Sequence, residues 1–117
     1  MRRPNGIRIP LRGVKVPEER WQAFKEVAAS DYITASEAIN RLVRAFNDGN
    51  IELHGFEVDR GEKPSKNPLH SVRVSDDRWD AFKERAAGQD MTISDAMNRL
   101  IEGYVSGDFE ALKYPLP

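Results

Sequence analysis

Few residues of this chain could do covalent chemistry, and they are poorly placed for it. His54 and His70 stand alone and the chain has no Cys, so no set of ligands stands at zinc-binding spacing. Asp76 and Asp77 form a carboxylate pair. Adjacent positions at a helix start point in different directions, however, and carboxylates there suit the helix dipole better than acid–base work. No nucleophile motif and no glycine-rich phosphate loop occur. No enzyme, no metal site and no cofactor are expected.

What remains is the chemistry of charge and hydrogen bonding. The chain of 117 residues carries a net charge of −1. Its first 17 residues hold Arg2, Arg3, Arg8, Arg12 and Lys15 and no carboxylate, a local charge of +5, which leaves −6 for the rest. A basic arm on an acidic body suits a polyanion, although charge alone leaves a solvated tail equally open. Two alternating stretches add cations further in. They are Leu-Arg-Gly-Val-Lys-Val at 11–16 and Leu-His-Ser-Val-Arg-Val at 69–74. On a pleated strand the valines take one face. Leu11, Gly13 and Lys15, and Leu69, Ser71 and Arg73, take the other. Two hydroxyl-bearing tripeptides, Thr34-Ala35-Ser36 and Thr92-Ile93-Ser94, stand at predicted helix starts, where free backbone amides suit anions.

These groups need elements to position them. A strand is expected over 11–16. A helix from Pro17 or Glu18 to Ser30 has Trp21, Phe24 and Ala28 on one face. Thr34 and Glu37 fit a capping box for a second helix to about Asn47, with the stripe Ala38, Ile39, Leu42, Val43 and Phe46. Gly49 stands where that helix should stop. The same order returns as a strand over 69–74, a helix over 76–87, a Thr92 cap, a helix over 93–105 and Gly107. The tryptophans and phenylalanines, at helical spacing in both copies, read as core and not as stacking platforms for bases.

The two halves are a repeat. Residues 10–53 and 68–111 align at an offset of 58 with no gap, and 20 of 44 positions are identical. The chain divides into a basic arm at 1–9, repeats at 10–49 and 68–107, a polar linker at 50–67 and an irregular tail at 108–117. One strand and two helices cannot close a core, and a lone strand leaves its ladder groups unpaired. Two copies can pair their strands antiparallel over four helices. The expected fold is therefore mainly α with a two-stranded antiparallel β-ribbon. No run of 18 apolar residues exists, so no membrane span is expected, and the arginine-rich start lacks the apolar region of a secretory leader.

The strand-helix-helix unit resembles the ribbon-helix-helix family, the class of the Arc and methionine repressors. The resemblance rests on Val-Lys-Val-Pro-Glu-Glu-Arg-Trp and Val-Arg-Val-Ser-Asp-Asp-Arg-Trp, with Thr-Ala-Ser-Glu-Ala and Thr-Ile-Ser-Asp-Ala. Ordinary members are homodimers, and this chain resembles a fused, TraY-type pseudo-dimer. The resemblance implies sequence-specific binding of double-stranded DNA, with the β-ribbon in the major groove. Base-reading residues would be Leu11, Gly13, Lys15, Leu69, Ser71 and Arg73. Gly13 departs from the usual polar reader, which implies an asymmetric footprint. Phosphate contacts would come from Thr34, Ala35, Ser36, Thr92, Ile93 and Ser94, with Arg2, Arg3, Arg8 and Arg12 as further cations.

The role implied is a transcriptional repressor of phage, plasmid or other bacterial origin, cytoplasmic and nucleoid-associated, with molecules associating cooperatively on adjacent sites. The alternative is an antitoxin or conjugation (relaxosome) accessory protein acting through a protein partner. For that reading the tail offers Phe109, Leu112, Tyr114 and Leu116. The favoured reading is that the same side chains cover the chain's own core. The duplicated Arg20 and Arg78, and Asn40 and Asn98, are open between bonds across the repeat interface and plain solvation.

Overall fold

The valines set the inner face of the ribbon, and the four helices close over it. In the computed structural model, which describes residues 9–53 and 66–116, the order is β1 (Leu11–Lys15), α1 (Glu18–Ser30), α2 (Ala35–Asn47), β2 (Leu69–Arg73), α3 (Asp76–Gly88) and α4 (Ile93–Ser106). A 3-10 turn, Ala111–Lys113, follows. The fold is thus mainly helical, with one two-stranded antiparallel sheet. The expectations for Arg2, Arg3, Arg8 and His54 lie outside the described residues.

The strand register centres on one pair. Gly13 faces Ser71, Leu11 faces Arg73 and Lys15 faces Leu69. Residues 13 and 71 are 58 apart, so the repeat offset and the strand register coincide. One further bond extends each end. Val16 N donates to Pro68 O and Val74 N donates to Pro10 O, both at 3.2 Å. The prolines open the strands as acceptors, so their missing N–H costs no ladder bond.

Three of the four described helices begin on a side-chain cap that the sequence supplies, while α1 starts after Pro17 with none. Ser75 accepts from Arg78 N at 3.3 Å, Thr34 from Glu37 N at 3.0 Å and Thr92 from Asp95 N at 3.0 Å. The reciprocal half of the capping box is diverted. The Glu37 carboxylate takes two bonds from Arg41 one turn on, and Asp95 takes one from Arg99. Between the helices of each half the chain reverses through a left-handed residue, Tyr32 (φ 62°) or Asp90 (φ 59°). Ile33 N and Met91 N then close the preceding helix onto Ala28 O and Ala86 O.

The core is shared between the halves. The larger helix interfaces are α1 with α4 and α2 with α3, each crossing the repeat boundary. Val14, Val16, Val72 and Val74 are buried against Phe24, Ile39, Leu42, Phe82, Met97 and Leu100. Trp21 and Trp79 are buried too, tilted against Phe24 and Phe82 at 5.3 and 5.7 Å. Neither half keeps its apolar face to itself.

The segment after α2 departs from the sequence reading, whereas the tail after α4 packs on the core as expected. Ile51 and Leu53, placed in the polar linker, are buried, and Leu53 O accepts from Arg99 at 2.8 Å. At the matching positions Phe109 packs on Gly103, and Ala111 is fully buried in the 3-10 turn. Two apolar residues in alternation after each second helix fold back as a lid on the core. At 51 and 53 the surrounding polar residues hid this. The tail thereby covers its own chain, and Arg44 ties it down through Pro115 O at 3.1 Å.

Candidate nucleic-acid interface

Strand alternation decides which side chains the ribbon shows. Leu11, Gly13, Lys15, Leu69, Ser71 and Arg73 are all exposed, while Val14 and Val72 are buried. The structure thus brings the six expected reading residues onto one face. Lys15 and Arg73 stand at its opposite ends, since each pairs with the leucine of the other strand. Arg73 is anchored there, with Nη1 donating to Ile9 O at 2.6 Å. That bond uses one of five guanidinium N–H donors.

Arg12 does not join the expected phosphate contacts. As an even-numbered strand residue it turns to the inner face beside Val14. Its Nε donates to Val74 O at 3.1 Å, its Nη2 pairs with Asp76, and its guanidinium lies over the Trp79 ring at 5.5 Å. His70 holds the matching position on β2. It stacks on Trp21 at 4.5 Å, with Nε2 3.6 Å from Glu18 Oε1. Each ribbon end is thus clamped by a tryptophan and a carboxylate, once with an arginine and once with a histidine.

The starts of α2 and α4 flank the ribbon. Thr34 and Thr92 are exposed, and Ala35, Ser36, Ile93 and Ser94 are half-buried. The threonine hydroxyls satisfy only the third helical amide of each helix, which leaves the first two for an outside acceptor. The carboxylates in these first turns are held by Arg41, at 2.7 Å from Glu37, and by Arg99, at 3.1 Å from Asp95.

The duplicated asparagines join the two contact sets. Asn98 Nδ2 donates to Ser94 O at 2.8 Å and to Lys15 O at 3.0 Å. Asn40 Nδ2 donates to Ser36 O and to Arg73 O, both at 2.8 Å. One amide therefore links the first turn of a second helix to the strand end that carries a cation. Arg20 and Arg78 complete each set by donating to Asn98 Oδ1 and Asn40 Oδ1. The sequence signal was there in the duplication of all four residues, but spacing alone does not name their partners.

The two sets differ in charge. Arg20 Nε bonds Glu102 Oε1 at 3.1 Å, whereas the position matching Glu102 is Arg44. Burial lowers the Arg78 guanidinium from its ordinary value, and the like charge of Arg44 lowers it further, against a partial offset from Asp48. On the opposite side Tyr104 donates to Asp31 Oδ2 at 2.6 Å; burial first, then this bond, raises its hydroxyl well above the ordinary tyrosine value.

Among the described residues no group of three His, Asp or Glu side chains is placed to hold a metal ion, and no helix is long and apolar enough to cross a membrane. What the arrangement offers is a narrow face with a cation at each end, set rigidly between two helix starts that can accept anions. Comparison with protein-family models, curated proteins and solved structures returned no match to this chain.

Proposed function

We propose that this chain is a sequence-specific double-stranded DNA-binding protein of the ribbon-helix-helix type, with its two repeats forming an intrachain pseudo-dimer. The ribbon enters the major groove, and the starts of α2 and α4 dock on flanking phosphates. The observation that carries this reading is the pair of asparagine links. Asn98 and Asn40 fasten the strand ends bearing Lys15 and Arg73 to the first turns of α4 and α2. Base readers and phosphate donors then move as one body, and phosphate contacts set the register in which bases are read. Arg73 can pair with guanine O6 and N7, and Lys15 supplies a point charge to the same edge.

The role that follows is a bacterial, phage or plasmid repressor working in the cytoplasm. A single small ribbon buries little DNA surface, so molecules bind side by side on adjacent sites and neighbour contacts supply affinity. The reading of the tail as a clip for a protein partner is less favoured, because Ala111 is buried and Phe109 packs on Gly103 of its own chain.

Selection from randomised duplex DNA, followed by titration across salt, tests the proposal. Neutralising about 4–6 phosphates gives a log–log salt slope of about −4 to −5. Footprints should grow in steps of one molecule. Binding that is absent, or that shows no sequence preference at any salt concentration, would sink the reading.

A further inference from the structure

The outer face of the ribbon is poorer in hydrogen-bonding groups than a reader of base edges needs. Of its six side-chain positions, Leu11 and Leu69 are apolar and Gly13 is bare. The two leucines are 57% and 62% exposed, among the most exposed large apolar residues described. Scattered apolar residues on a surface need no explanation. These two share one face of a two-stranded ribbon, where exposed apolar groups invite association, and a cation stands opposite each.

Gly13 explains how one leucine is held. A Cβ at position 13 would lie 2.9 Å from Leu69 Cδ1 and 3.2 Å from both Cγ and Cδ2. The Leu69 isobutyl group therefore occupies the place where a side chain at 13 would project. It lies across the centre of the ribbon. Ser71 fills the matching position on the other strand, so Leu11 has no equivalent bare site to lean over. The resulting surface is an off-centre apolar pad between two cations.

On the major-groove edge of DNA the apolar group is the 5-methyl of thymine. We propose that the ribbon reads thymine methyl groups with Leu69 and Leu11, and that Gly13 is a specificity-determining residue because its missing side chain seats Leu69. This rests on the DNA-binding reading above. The charge of Lys15 and Arg73 at both ends of the same face selects a polyanionic groove over an apolar protein surface. Leu11 and the residue opposite Lys15 are four strand positions apart, so the two contacts lie roughly 13 Å apart along the ribbon, less the lean of Leu69. The site contains two thymines that matter, unequal in weight because only one leucine is seated by a glycine.

Uracil substitution tests this, since it removes the methyl and leaves the hydrogen-bonding edge intact. The full chain is titrated with its selected duplex and with duplexes carrying deoxyuridine at one thymine at a time. Loss of one buried methyl group corresponds to about fourfold weaker binding. A loss of about that size is expected where Leu69 sits and a smaller one where Leu11 sits. In Leu69→Ala and Gly13→Ala the dependence disappears at the first position, and in Leu11→Ala at the second. Melting curves confirm that these exposed substitutions leave the fold intact. A fully uracil-substituted duplex bound as tightly, and with the same sequence preference, overturns the inference and leaves DNA recognition standing. So does methyl dependence that survives both leucine substitutions, or a ribbon face found buried in a self-associated dimer that still binds DNA. If no duplex binds at all, the functional reading falls and takes this inference with it.

Discussion

Asn98 accepts a hydrogen bond from Arg20 at 3.0 Å, although the two residues stand 78 positions apart. Asn98 is completely buried, and its amide also donates to Lys15 O and Ser94 O. A buried polar group costs little when every bond is made and a great deal when one is missing. Here the satisfied amide closes a circuit through α1, α4 and β1, and so fixes the strand end relative to the helix start.

Asn98→Ala should therefore destabilise strongly. It removes the bond from Arg20 Nη1, whose guanidinium keeps Glu102, and the buried donor to the Lys15 carbonyl, at a cost of about 2–3 kcal/mol. Asn40 makes the matching bonds but is half-buried, so water can replace them. Asn40→Ala should cost about 1–2 kcal/mol. Urea denaturation of the two variants measures the difference, and equal losses would contradict the argument.

The charge mismatch between the halves makes a second prediction. Arg78 faces Arg44 where Arg20 finds Glu102. Arg44 also pairs with Asp48 at 3.5 Å, and the residue matching Asp48 is Ser106. The double variant Arg44→Glu with Asp48→Ser copies the other half and removes the repulsion without placing two carboxylates one turn apart. It loses the bond to Pro115 O, so the net gain is modest, about 0.5–1 kcal/mol, or a melting point higher by about 2–5 °C. A lower melting point would show that Arg44 matters more for holding the tail than it costs beside Arg78.

The architecture was legible because one pattern was written twice. The alternation of Val14 and Val16 with Gly13 and Lys15 could have been a loop, but its recurrence at 72 and 74 could not. The strand facing followed from that alternation alone, and with it the position of every outer side chain. Arg12 was missed because charge invites an outward reading, whereas its even position sends it inward to Trp79 and Asp76. Ile51 and Leu53 were missed because two apolar residues in a polar stretch carry no periodic signal. The asparagine circuits join residues up to 83 positions apart, and no local pattern encodes such a pairing.

Tyr104 gives a prediction about pH. Its hydroxyl is raised above the ordinary value of 10.0 by burial and by the bond to Asp31. The folded state therefore keeps the proton where the unfolded chain releases it. The stabilisation is fully present below pH 10 and is lost as pH rises from there toward the folded value. Tyr104→Phe should lower stability by about 1 kcal/mol at neutral pH, and should flatten the decline above pH 10. The matching position holds Phe46, so a bare ring is tolerated there. Urea melts at pH 7 and at pH 10–11 provide the check, and an unchanged alkaline slope in the variant would remove Tyr104 from the account.

The last prediction separates the two faces of the ribbon. Arg73 is exposed on the outer face, and its planar fork can engage both acceptors of one guanine. Arg73→Ala should weaken binding by about 1–3 kcal/mol and relax preference at one base position. Lys15, at the opposite end, carries a point charge, so Lys15→Ala should weaken binding across sequences with less loss of discrimination. Val74 is fully buried on the inner face. Val74→Ala should cost about 2 kcal/mol of stability and leave sequence preference untouched in the molecules that remain folded. The asparagine link adds a constraint, because Asn40 binds the Arg73 carbonyl and not its side chain. Truncating Arg73 therefore keeps the asparagine bond to its strand end and loses the side chain's bond to Ile9 O along with the guanidinium. Binding selections over randomised DNA with each variant, set beside melting curves, distinguish the roles. Wild-type specificity in Arg73→Ala together with altered specificity in Val74→Ala would place the reading surface elsewhere on the molecule.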